Sequence, residues 1–297
     1  MNDPSRYLDP AAVAKLSSMH LRAQALMEGI IAGLHRSPHH GGSVEFAEYI
    51  EYAPGHEIRH IDWKVYAKSD RYVVKQFEDE TNLRAYLVLD GSGSMRFGSE
   101  LAPISKLKYV SFLAATLAYL LVRQGDAVGA LAFDETARDF LPASARRSHL
   151  DDLFHMLDGL RGEGRTALAE ALRTVSERAR ARCLVLVFSD MLGADDEVLN
   201  LLRVLRSRRY EIVVFHAVDP AEVEFPYEGM SRFQGMEGED ELLVDPDDVR
   251  LKYLARIQEH LAHVESSCQE GDVGYVRFLT TEAIEAVALR FLLQRMG

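Results

Sequence analysis

Residues Leu83 to Met95, LRAYLVLDGSGSM, constrain this chain more than any other stretch. An apolar run from Ala85 to Leu89 has the length of one buried strand and ends on Asp90, with Ser92 and Ser94 following at two-residue steps. Gly91 and Gly93 let the backbone turn sharply between them. One carboxylate and two hydroxyls therefore gather on a tight loop past a strand end. All three are hard oxygen donors, suited to Mg²⁺ rather than to zinc or copper.

From here onward strands alternate with helices. Lys106 to Gln124 predicts a long helix, apolar almost all round through Leu107, Val110, Leu113, Leu117, Leu120 and Leu121, and so largely buried. Ala127 to Phe133 and Thr136 to Leu141 predict two strands joined by a tight Asp134-Glu135 turn, an antiparallel hairpin at a sheet edge. Helices follow at Leu150 to Leu160 and Leu168 to Val175. The most apolar strand, Cys183 to Phe188, ends at Ser189-Asp190. A helix over Val198 to Leu205, a strand over Ile212 to Val218, a long helix near Val249 to Val264, a strand over Tyr275 to Leu279 and a helix from Ala283 to Arg295 complete the pattern.

This alternation predicts an α/β fold: a doubly wound, mainly parallel sheet covered on both faces, with one antiparallel edge strand. Sites in such sheets form at the carboxyl ends of the strands. Asp90 and Asp190 both stand at such ends and should converge on one edge. Thr166, after Gly162-Glu163-Gly164-Arg165, offers a third hydroxyl there. The candidate site is thus Asp90, Ser92, Ser94, Thr166 and Asp190. Two carboxylates and three hydroxyls make a low-charge oxygen cage around an octahedral Mg²⁺, with Mn²⁺ or Ca²⁺ as alternatives and space for one external ligand.

Residues 1–82 read as an N-terminal region and 83–297 as the main domain. Asp9-Pro10 opens a helix over roughly residues 10–32, marked by Val13, Leu16, Met19, Ala23, Leu26, Met27 and Ile30. In the breaker segment after it, His35, His39 and His40 lack carboxylate or cysteine partners, which weighs against a metal site. Ser43 to Tyr52 and Tyr72 to Phe77 predict strands flanking a short helix, Glu57 to Lys68, that carries Trp63. These are too little to fold alone and should pack on, or extend, the main sheet. Arg59, Asp62 and Trp63 are read as fastening that region in place.

Several classes can be set aside. A net charge of −12 argues against nucleic-acid binding. No apolar run is long enough for a membrane span and MNDPSRYLDP lacks signal-peptide features, so a cytoplasmic protein is expected. Cys183 and Cys268 are expected as reduced structural thiols. A phosphoaspartyl phosphatase would need an acid where Ser92 stands. Neither Ser92 nor Ser94 has the glycines of a nucleophile elbow, and no phosphate loop with Gly-Lys-Ser/Thr occurs. His216, in the run EIVVFHAVD, is read as a satisfied core or strand-end histidine rather than a catalytic base. The cluster Arg203, Arg206, Arg208 and Arg209 suits a helix C-terminus. Residues 221–248 hold ten acids against the single base Arg232 and predict a long exposed insertion, with a hairpin inside Arg232 to Val244. It is either a solvated loop or an acidic contact surface for a basic groove.

Arg84 to about Leu279 resembles a von Willebrand factor type A domain. Asp90-Gly91-Ser92-Gly93-Ser94, Thr166 and Asp190 match its metal-ion-dependent adhesion site in order, spacing and strand context. The resemblance implies that Ser92, Ser94 and Thr166 approach the metal most closely, while Asp90 and Asp190 hold coordinating water. The open position would go to an acidic residue of a partner protein. His40-Gly41-Gly42-Ser43-Val44-Glu45-Phe46, Tyr52-Ala53-Pro54-Gly55 and Arg59-His60-Ile61-Asp62-Trp63-Lys64, with Glu78, Glu80 and Thr81, resemble the signature of the domain-of-unknown-function family numbered fifty-eight. Together the two resemblances cover nearly the whole chain. His56 departs from the pattern, standing where that family usually has an acid. Because the family is typically encoded near MoxR-type AAA+ ATPases, such an ATPase is the implied partner. The expected function is a non-catalytic, divalent-metal-dependent protein-interaction module, an adaptor in protein assembly or remodelling. A Mg²⁺-dependent hydrolase at the same site and a scaffold with an empty metal site are the alternatives.

Overall fold

The apolar runs become the strands of one six-stranded sheet, and the amphipathic segments become its covering helices. The computed structural model of the protein describes residues 18–34, 49–51, 73–75, 83–179 and 182–296. In chain order the elements are α1 (Met19–Leu34), β1 (Tyr49–Glu51), β2 (Val73–Lys75), β3 (Arg84–Asp90), α2 (Lys106–Arg123), β4 (Ala127–Phe133), β5 (Ala137–Ser144), α3 (His149–Gly159) and α4 (Leu168–Arg178). They continue with β6 (Leu184–Ser189), α5 (Asp196–Ser207), β7 (Glu211–Val218), α6 (Pro220–Glu224), β8 (Ser231–Phe233), β9 (Leu242–Val244), α7 (Pro246–Glu270), β10 (Gly274–Leu279) and α8 (Ile284–Met296).

The sheet order is β10-β7-β6-β3-β4-β5, and every pairing is parallel except β4 with β5. This is the expected doubly wound sheet with one antiparallel edge. Pro142 lies in β5, where an edge strand tolerates the missing N–H. Side chains alternate between the two faces. Leu87 and Leu89 of β3, Phe188 of β6 and Phe215 of β7 join the core under α1, α2, α3 and α8. Tyr86 and Val88, Val185 and Val187, and Val214 join the core under α4, α5 and α7. The central strands β3 and β6 are therefore apolar at successive positions, as burial on both faces requires.

The chain divides into two compact units: residues 1–35 with 83–297, and residues 36–82. Of the second, the described part is the antiparallel pair β1–β2, with Tyr49 opposite Lys75. In the first, α1 lies against α2 and α8 and buries Leu26, Met27 and Ile30. Each such side chain contributes about 1.5–3 kcal/mol. The 57–68 helix, most of its flanking strands, and His35, His39, His40, Arg59, Asp62 and Trp63 lie outside the described residues.

Helix α7 runs well beyond the expected 249–264, because Asp245 caps it and Pro246 occupies its first turn. Helix α6 has no counterpart in the sequence reading; Asp219 and Glu222 form a capping box around it. Cys183 and Cys268 are free and buried, and burial pushes each thiol up to about 11. Among the described residues no helix is long and apolar enough to cross a membrane.

Candidate functional site

Strands β3 and β6 are neighbours in register, Leu89 opposite Phe188, so Asp90 and Asp190 emerge at the same sheet edge. The glycine loop after β3 is tied down on both sides. Gly91 N–H donates to the Phe133 carbonyl (2.7 Å), and Gly93 N–H to that of Gly164 (2.8 Å), which draws the 162–166 loop against it. Glu163 N–H closes the same contact onto the Gly91 carbonyl (2.9 Å).

All five predicted residues meet there. Asp90 Oδ1 accepts from Ser92 N–H (3.0 Å), and Asp90 Oδ2 accepts from the hydroxyls of Thr166 (3.1 Å) and Ser189 (2.7 Å). The Ser92 and Ser94 hydroxyls are 3.1 Å apart. Asp90, Ser92 and Asp190 are buried, and Thr166 is half-buried. Burial, with the nearby charge of Asp190, raises the Asp90 carboxyl to about 6 against hydrogen bonds from Ser189 and Ser92.

Asp190 is treated differently. Burial pushes its carboxyl up, but the Lys106 ammonium outweighs that and holds it below the usual range, helped by Leu192 N–H and the Ser94 hydroxyl. Lys106 Nζ lies 2.8 Å from Asp190 Oδ2 and 2.6 Å from Glu222 Oε1, fully buried. Burial alone would lower this ammonium, but its two carboxylates keep it above its ordinary value. Lys106 thus faces buried Asp190 and part-buried Glu222, with buried Asp90 close to Asp190, an excess of carboxylates over ammonium that suits a cation.

Lys106, Ser189 and Glu222 were missed by sequence reasoning. Lys106 and Lys108 both stand in the first turn of α2, where a cation is unfavourably placed against the helix dipole; that signals a partner without telling which lysine has it. The Asp219-Pro-Ala-Glu222 capping box was equally legible. Ser189 carried no distinguishing mark.

A cleft of about 440 Å³ opens beside Ser94 and Thr166, lined by Phe97, Phe225, Tyr227, Tyr253 and Glu237 among others. His216 is buried, with Nδ1 2.8 Å from the Tyr275 hydroxyl. Burial drives its imidazole down from 6.5 to about 3, with Asp190 opposing and His260 reinforcing the shift. The unfolded chain takes up a proton here below pH 6.5 that the folded chain refuses until about pH 3, so stability contributed by neutral His216 is lost as pH falls through that window. The expected loss from this residue is about 1.4 kcal/mol per pH unit. Urea midpoints between pH 7 and 4 should fall less steeply for His216→Gln than for wild type; parallel curves would refute the assignment.

Comparison with known proteins bears on this arrangement. The model of the family "Protein of unknown function DUF58" matches residues 48–263. The chain belongs to the DUF58 family. Uncharacterised proteins of Mycobacterium tuberculosis and Mycobacterium bovis are each 29% identical to this DUF58 chain over 227 residues, covering 73% of it and 68% of their own length. Among solved structures, BatB from Bacteroides thetaiotaomicron is similar with a TM-score of 0.48 at 16% identity, covering 72% of this chain and 98% of that one. The SpRpn10 VWA domain is similar with a TM-score of 0.44 at 8% identity, covering 70% and 94%. The fold of this DUF58 chain is a doubly wound, mainly parallel six-stranded sheet with one antiparallel edge strand.

Proposed function

We propose that Asp90, Ser92, Ser94, Thr166 and Asp190 hold a divalent cation, Mg²⁺ or else Mn²⁺ or Ca²⁺, and that this DUF58 chain is a non-catalytic module that captures a partner protein through an acidic side chain. One observation carries the reading. The Thr166 hydroxyl donates to Asp90 Oδ2 (3.1 Å), and the Ser92 and Ser94 hydroxyls, 3.1 Å apart, lie beside the Asp90 and Asp190 carboxylates and favour their ionised forms. A hydroxyl whose hydrogen goes to a carboxylate leaves its oxygen lone pairs for a cation. The donor set is all oxygen, as Mg²⁺ and Ca²⁺ require.

A bound cation would supply concentrated positive charge and an open position for a partner's carboxylate. Asp90 and Asp190 orient the three hydroxyls, and Lys106 keeps Asp190 ionised. His216 is not poised to make Ser92 or Ser94 a nucleophile, being paired with Tyr275 and barely basic. A MoxR-type AAA+ ATPase is the proposed co-worker, with this chain as its adaptor in protein assembly or remodelling.

The test is retention of the purified ATPase and its clients on the immobilised chain. Retention is expected in Mg²⁺ and lost both with chelator and with Asp90→Ala. Retention unchanged by either treatment would sink the metal-bridged mechanism.

A further inference from the structure

The acidic insertion is not merely solvated. Its β8–β9 hairpin, with Ser231 opposite Val244, turns its tip onto the loops of the candidate site. Ser94 N–H donates to Glu237 Oε1 (3.4 Å), and Arg165 Nε donates to the Glu237 carbonyl (3.1 Å), so one residue touches both site loops. The approach is close enough to need a glycine: a Cβ on Gly93 would stand 2.0 Å from the Met236 carbonyl oxygen. Glu239 Oε2 accepts from Glu237 N–H (3.0 Å) and shapes the tip. Among the ten acids of the insertion, Glu237 is the one whose carboxylate is hydrogen-bonded to the candidate metal loop.

The two ends of the hairpin are held very differently. At its root Phe225 packs on Tyr253 (ring centroids 4.5 Å apart) and stacks on Phe233 (5.8 Å), while Arg250 donates to the carbonyls of Phe225 and Tyr227. The tip is held by a few hydrogen bonds, each contributing about 1 kcal/mol. Its ladder is three residue pairs long, and Leu242 and Leu243 are exposed. Such a hairpin is marginal by itself, so a firm root and a weak tip make an arm that can swing away.

We infer that Glu237 is this site's own acidic ligand, delivered by the hairpin tip to the position that a partner's carboxylate must take. The inference rests on the metal-site reading above and adds its regulation. A tethered carboxylate competes at an effective concentration in the millimolar range, so a partner must displace the arm to bind. A weak or misplaced acid would be rejected, and only a partner that also engages the uncovered cleft would hold the arm open.

The probe is Mn²⁺ alone on the full chain, comparing wild type, Glu237→Gln and Asp90→Ala. Gln keeps the side-chain oxygen that accepts from Ser94 N–H but is a poor cation ligand. Glu237→Gln is expected to weaken Mn²⁺ binding about tenfold. Adding Mn²⁺ should slow amide hydrogen exchange at residues 235–239 in wild type and leave it unchanged in Glu237→Gln. Asp90-dependent Mn²⁺ binding with equal affinity in Glu237→Gln, and no protection of the tip, would overturn the inference while leaving the metal site standing. No Mn²⁺ binding by wild type beyond that of Asp90→Ala would overturn both.

Discussion

Replacing Lys106 with Met is expected to cost the fold about 3–5 kcal/mol, the largest single loss outside the apolar core. Met preserves the length and volume of the stem, so packing beside Phe97 changes little and the loss reports charge. What remains is buried Asp190 and part-buried Glu222 without the ammonium that lies 2.8 and 2.6 Å from them. The asymmetry of buried ion pairs applies here: the intact triad contributes little net stability, whereas a broken one leaves uncompensated charge. Urea denaturation at pH 7 should show the midpoint fall at an unchanged slope. Adding Glu222→Gln should recover part of the loss, since it removes one orphaned charge. A single-variant loss below about 1 kcal/mol would mean that water reaches and solvates the triad.

Asp90→Asn is expected to abolish stabilisation by divalent cations. In wild type, Mg²⁺ at a hundred times its Kd should add about 2.7 kcal/mol. For a domain of this size, that raises Tm by about 5–10 °C. Asn keeps one acceptor, enough for the Ser189 and Thr166 hydroxyls, but carries no charge and turns its NH2 group toward the Ser92 N–H that Asp90 Oδ1 accepts. Without metal the variant should lose at most about 1–2 kcal/mol at pH 7, because removing a charge that burial and Asp190 disfavour offsets that lost hydrogen bond. That pair of results separates a cation site from a structural hydrogen-bond hub. A metal-free variant strongly destabilised, with the Mg²⁺ shift intact, would assign Asp90 the structural role. The comparison needs only calorimetry with and without chelator.

The parts of this molecule readable from sequence are those governed by near neighbours. The apolar runs at 85–89 and 184–188 announce strands buried on both faces, because a side-chain period of two leaves no polar face when helices cover both sides. Their terminal acids then fall at one sheet edge by topology alone, and that is why the sequence suffices to pair Asp90 with Asp190. The caps Asp195, Asp219 and Asp245 are local in the same sense, each accepting from an N–H within three residues.

The tertiary structure decided what those acids face. Lys106 reads as one of two lysines in the first turn of a largely apolar helix, and only the packing of α2 brings its ammonium to a carboxylate 84 residues away. Ser189 looks like any strand-end serine until the register of β6 against β3 points its hydroxyl at Asp90. Glu237 is one acid among ten, singled out because the aromatic root of its hairpin aims the tip at Gly93 and Ser94. Local periodicity therefore placed the five oxygen-bearing residues at the edge of the sheet. Long-range packing supplied the ammonium, the extra hydroxyl and the acidic arm that meet them, since such contacts depend on how elements cross in space and leave no spacing in the chain.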